Sequence, residues 1–119
     1  MSKSFHVADV VTATTGTLLT NSMDGLYEVI SHMVGFDAMT HELPTLFDVV
    51  APEIFKQHPQ LEAIEVPKFE DPAIDVPIFT DGLVMRFGEY FELEPISTPV
   101  ERVSFGEAVF RAKERRANR

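Results

Sequence analysis

The chain contains no cysteine, which excludes a disulfide framework, thiol chemistry and any cysteine-based zinc site. Its six glycines never cluster, so neither a phosphate-cradling P-loop nor a G-x-G-x-x-G dinucleotide fingerprint is present. No apolar run approaches the roughly 18–20 residues that a membrane span needs. Bases are scarce through most of the chain. Residues 5–61 hold seven acids against one base, Lys56, and residues 62–94 hold nine acids against Lys68 and Arg86. Nonspecific binding to nucleic acid requires clustered cations facing phosphate, so direct nucleic-acid binding is not expected. The polar residues 1–6 lack a signal-peptide core. With no cysteine to oxidise, the expected compartment is a cytosol.

The 119 residues are 45% hydrophobic and include ten phenylalanines, enough for one domain with a real core. Net charge is −9, yet residues 95–119 reverse the sign, with six bases against three acids. The ordinary reading of the acidity is solubility. A sharper one is that acidic rows imitate nucleic acid and occupy a basic groove on a partner protein.

Apolar spacing predicts several short helices. In "HVADVVTATT", Val7, Val10 and Val11 recur at i, i+3, i+4, and Gly16 is placed to end the helix. "TLLT" after it reads as a short strand. Met23, Leu26, Tyr27, Ile30, Met33 and Val34 fall on one helical stripe, with Asn21 or Ser22 as cap and Gly35 as stop. A third helix is expected from a Thr40 cap, through Pro44 in the first turn and a core stripe of Leu43, Leu46, Phe47 and Val50. Pro52 predicts a bend in it, and His58-Pro59 its end.

The texture then changes. Pro67, Pro72 and Pro77 recur among Glu65, Glu70, Asp71 and Asp75. That spacing reads as an extended surface connection over 61–79, with short edge strands at 63–66 and 74–78. "TDGLVMRFG" suggests a two-turn helix capped by Asp81 and stopped by Gly88. "EYFELEPI" alternates like a strand. "SFGEAVFRAKERR" opens with the S-x-x-E capping box of Ser104 and Glu107, and Phe110 falls off its apolar stripe. The expected architecture is α+β: a single small domain with four or five short helices and a few short strands. Its helical part covers about 6–60, the connection 61–79, and a strand and basic C-terminal helix 80–119.

Catalytic patterns are absent. His41-Glu42 begins an H-E-x-x-H motif, but position 45 is threonine, so no zinc site is expected. Ser22, Ser31, Ser97 and Ser104 sit in no nucleophile elbow. The expected protein is not an enzyme and needs no cofactor. Binding fares better. Arg111 and Arg115 share a flank of the basic helix at i, i+4, Arg102 precedes it, and Arg86 is the lone arginine of the acidic middle. Guanidinium forks match phosphate oxygens. Phe79, Phe87 and Tyr90 offer stacking faces. Arg86, Phe87, Tyr90, Arg102, Arg111 and Arg115 are therefore the candidate ligand-binding residues. The plain alternative is a solvated helix whose arginines pair with the acidic body.

Thr14-Thr15-Gly16-Thr17-Leu18, Gly25-Leu26-Tyr27, Met33-Val34-Gly35, Thr40-His41-Glu42-Leu43-Pro44 and Gln57-His58-Pro59-Gln60-Leu61 together resemble a small family associated with phages and prophages. The resemblance covers about residues 6–61. Among phage counter-defence proteins the chain is most similar to the Thoeris anti-defence sponges, which sequester cyclic ADP-ribose signals in pockets between subunits. That resemblance implies a cyclic nucleotide ligand, phosphate-binding arginines, a homo-oligomer and the host cytoplasm. Two other readings stay open: an acidic inhibitor directed at a host defence protein, in the manner of an anti-CRISPR, and a phage accessory or structural oligomer.

Overall fold

Helix α1 (Val7–Thr15) forms although valine and threonine make up most of it. β-Branched residues cost a helix a few tenths of a kcal/mol each. Val7, Val10 and Val11 are fully buried, and burying such a side chain is worth about 1.5–3 kcal/mol, so packing outweighs propensity. A computed structural model of the chain describes residues 1–102 and Gly106. In it α1 touches α2 (Asp24–Val34), α3 (Leu43–Gln57), α4 (Pro72–Phe87) and both strands of a two-stranded sheet, β1 (Lys3–His6) and β2 (Tyr90–Leu93). The architecture is α+β, as expected. No described helix is long and apolar enough to cross a membrane.

The expected glycine stops of α1 and α2 are where they should be, whereas α2 is preceded by Met23 as its cap position and not by Asn21 or Ser22. Gly16 (φ 76°) and Gly35 (φ 83°) close α1 and α2 in the left-handed conformation. Ser22 Oγ accepts from the Asp24 N–H at 3.2 Å. The core stripe of α2 is Leu26, Val29, Ile30 and Met33. It is rotated from the expected one: Met23 is exposed, and Tyr27 and Val34 are half-buried. In α3, Leu43, Leu46, Val50 and Ile54 are buried, while Phe47 is half-buried. The helix runs on through Pro52 and ends at His58, whose N–H reaches the Ile54 carbonyl.

Three expectations fail. "TLLT" is not a strand. Instead the buried Thr12 hydroxyl donates to the Ala8 carbonyl (2.7 Å) and accepts the Leu19 N–H (3.1 Å), which folds the segment back onto α1. Thr40 does not cap α3. It opens a 3₁₀ turn, Thr40–Glu42, and its hydroxyl is taken by the Tyr27 phenol, while Glu42 reaches back to the Met39 N–H. The stretch 61–79 is not an extended connection with edge strands. A second 3₁₀ turn, Pro59–Ala63, leads toward α4, which swallows both 74–78 and the expected short helix, so Asp81 lies mid-helix. The three prolines do not act alike. Pro67 lies outside α4, Pro72 is its first residue, where a missing N–H costs nothing, and only Pro77 is interior. Gly88 does end the helix. The C-terminal helix expected over 104–116 lies outside the described residues apart from Gly106.

Strand β2 matches its expected alternation, with Phe91 and Leu93 buried. Its partner β1, unforeseen, pairs antiparallel with Phe5 opposite Phe91. A lone two-stranded ribbon is marginal in water. Here the helices hold it. His58 Nε2 donates to the Glu92 carbonyl (2.6 Å) and His32 Nε2 to the Leu93 carbonyl (2.7 Å), because a carbonyl can only accept. The Gln57 amide bonds the Glu94 backbone in both directions, at 2.9 and 2.7 Å. The Ile96 N–H bonds the Met33 carbonyl.

Replacing Thr12 by Val keeps the shape of that side chain and strands the buried Leu19 N–H. The expected loss is about 1–3 kcal/mol in chemical denaturation. An unchanged midpoint would mean that Thr12 does not fix the turn.

Candidate functional site

The six residues expected to bind a ligand do not form a single pocket among those described. Arg111 and Arg115 lie outside the described residues. Arg86, in the last turn of α4, is exposed, and its guanidinium lies over the Phe87 ring at 4.9 Å. Tyr90 is exposed and meets His6 edge-on at 5.8 Å. Arg102 is already engaged. It donates to the buried Glu42 carboxylate (2.9 Å) and the Asp37 carbonyl (3.0 Å) and lies over the Phe36 ring. The plain alternative, an arginine pairing with its own acidic body, describes Arg102. Among the described residues no group of three metal-ligating side chains comes together.

A cleft of ligand size lies elsewhere, between the start of α1, the segment after it and the first half of α4. Its volume is about 620 Å³, within the range of small-ligand sites. Leu18, Leu19, Pro72, Val76 and Pro77 supply apolar walls, and His6, Asp9, Thr20, Asn21 and Thr80 supply polar groups. Among the described residues that line it, none is a lysine or an arginine. A second cleft of about 490 Å³, between the end of α1 and α3, is walled mainly by Pro44, Phe47, Pro52 and Phe55.

Asp9 distinguishes the first cleft. It sits in the first turn of α1, half-buried, in a helix whose other early residues are apolar. The two ion pairs among the described residues, Lys56–Glu53 and Arg102–Glu42, leave it out. Burial pushes its pKa above the ordinary value of 3.8. His6 pulls it back down, and Glu28 adds a further upward push. The neighbouring helix is cut away to admit it: a β-carbon on Gly25 would collide with the Asp9 carboxylate. His6 faces the same cleft with its Nδ1 committed, accepting the Ala8 N–H at 3.1 Å as the cap of α1.

The family described as Domain of unknown function (DUF7736) matches residues 5–64, about half of the chain. The chain belongs to that family. No curated protein and no solved structure matches it. The DUF7736 region contains His6, Asp9, Thr20, Asn21 and Gly25, and so one side of the cleft. The α4 wall and strand β2 lie beyond it.

Sequence reasoning missed this site because its charged group is a single carboxylate among many. The available signal was position: Asp9 is the one ionisable residue in "VADVVTATT", a helix too apolar to have a solvated face. The role of Gly25 becomes visible only once α1 and α2 are packed.

The folded protein holds the Asp9 proton more tightly than the unfolded chain does, so ionisation at neutral pH opposes folding. Asp9→Asn is therefore expected to raise Tm at pH 7. The advantage should shrink as the pH falls through the folded pKa and disappear below about 3.8, where both states carry the proton. Melting curves of the two proteins across that range check this. A variant that melts lower at pH 7 would show the carboxylate to be structural.

Proposed function

We propose that this DUF7736 protein is a non-catalytic phage counter-defence protein that sequesters a cyclic nucleotide signal in the host cytoplasm. The observation that carries the reading is the Asp9 cleft. It combines the volume of a nucleotide-sized site, apolar walls for a ring face, and a half-buried carboxylate with no ion-pair partner among the described residues. Groups that weaken the fold yet persist in a cleft are candidates for function. The resemblance of residues 6–61 to phage proteins supplies the biological setting. The homo-oligomer that this resemblance implies has a candidate face on α4, where Ile74, Ile78 and Met85 are exposed.

Calorimetry against cyclic ADP-ribose isomers and cyclic di- and trinucleotides tests the proposal. Stoichiometric heat is expected with at least one, and the bound ligand should be recovered intact after denaturation. Silence with the whole panel, or recovery of a converted product, removes this reading.

A second reading has an observation of its own. Glu62, Glu65, Glu70, Asp71, Asp81, Glu89, Glu92 and Glu94 are all exposed, and such a surface suits an inhibitor that covers a basic nucleic-acid channel. Attraction of that kind weakens steeply with salt. A host nucleic-acid-binding protein retained at low salt, released at high salt and displaced by DNA or RNA would favour it. Failure to retain any such protein at low salt would end it.

A further inference from the structure

We infer that the Asp9 carboxylate, seated in the notch left by Gly25, is the specificity determinant of the cleft and takes the vicinal diol of a ribose. This rests on the nucleotide reading above in its cyclic ADP-ribose form, because each ribose of a cyclic di- or trinucleotide has one of its two hydroxyls in the phosphodiester ring, and it assigns which end of the ligand enters.

A carboxylate that is ionised accepts hydrogen bonds and donates none. Its two oxygens can receive two neighbouring hydroxyls at once, which is how acidic side chains hold a ribose in dinucleotide sites. Among the described residues the cleft is lined by no lysine or arginine, and the carboxylate among them is that of Asp9. A phosphate placed beside Asp9 would meet repulsion with no compensating cation among the described lining residues. A sugar meets no such penalty. Leu18 and Val76 offer apolar surface to the attached base, and the Asn21 amide can both donate to and accept from a base edge. The ligand's phosphates are thereby directed out of the cleft toward solvent. Gly25 belongs to the same device. Any larger residue there would take the space of the carboxylate and turn the acceptor away from its present position.

The two residues make separable predictions. Asp9→Asn removes the charge and leaves the side chain's size. Gly25→Ala leaves Asp9 chemically intact but displaces it, and alanine is the better helix former, so the fold is expected to survive. The probe is adenosine, titrated into the ¹⁵N-labelled protein and followed by amide chemical shifts, beside 2′,3′-dideoxyadenosine and 1,4-diaminobutane.

Adenosine is expected to shift the amides of residues 6–9 and 18–21. The dideoxy compound should bind at least about tenfold more weakly, a modest threshold, since a buried site built to hydrogen-bond a hydroxyl rejects the analogue lacking it by far more. Both variants should lose adenosine affinity by a similar factor while keeping a wild-type amide spectrum elsewhere. Equal binding of the two nucleosides overturns the assignment, as does wild-type affinity in Asp9→Asn. Preferential binding of the diamine overturns it as well, since the carboxylate would then be an amine site. If cyclic nucleotides give heat but the two nucleosides are not distinguished, this inference falls and the sequestration reading stands. If adenosine is discriminated while no cyclic nucleotide binds, the diol site stands and that reading falls.

Discussion

Burial of α1 on nearly every side is the constraint on which the rest of the structure depends. Three helices and both strands pack against its nine residues, and six of those residues are buried. A helix in that position must be apolar all round, which is why its sequence is valine, alanine and threonine rather than a set of strong helix formers. Each polar group that it carries inward then needs a specific partner or a specific purpose. Thr12 has partners, the Ala8 carbonyl and the Leu19 N–H, and ties the following segment down. Asp9 has a notch in α2 and an outlook onto the cleft.

The short motifs scattered along the first half of the chain are latches between elements that α1 brings together. The glycine of Gly25-Leu26-Tyr27 clears space for Asp9, and its tyrosine bonds Thr40 in Thr40-His41-Glu42-Leu43-Pro44. The glutamate of that second motif is buried and takes the Met39 N–H and the Arg102 guanidinium. Gln57 and His58, within the domain match, hold β2, which lies beyond it. Histidines that a sequence reader inspects for metal chemistry thus act as hydrogen-bond donors to a strand and as a helix cap. A two-stranded ribbon has few ladder bonds of its own, and side-chain donors from α2 and the end of α3 replace the missing neighbour.

Much of this was legible in the sequence, and what was missed has physical causes. Periodicity located α1, α2, α3 and β2, and glycine located three helix ends, because those signals are local. The strand β1 was invisible since "KSFH" acquires its conformation from Phe91 across the ladder. The length of α4 is hidden by its prolines, because the effect of proline depends on position: first residue, interior or outside. Arg86 and Arg102 were judged by residue type, but Arg102 is consumed by a carboxylate sixty positions away in sequence. The Asp9 cleft depends on three segments meeting, and no single stretch announces it.

The charge distribution separates how a nucleotide would find this protein from how the protein would hold it. A net charge of −9 repels phosphates at long range, but beyond about 8 Å that repulsion is screened at physiological salt. Within the cleft the balance is set by hydrogen bonds in a partly desolvated space, where an ionised acceptor forms bonds worth about 1.5–3 kcal/mol each. Two such bonds to a diol exceed the screened repulsion of phosphates that stay in solvent, whereas the reverse orientation would add a desolvated like-charge contact. An acidic surface is therefore compatible with an anionic ligand, provided that the ligand enters sugar first.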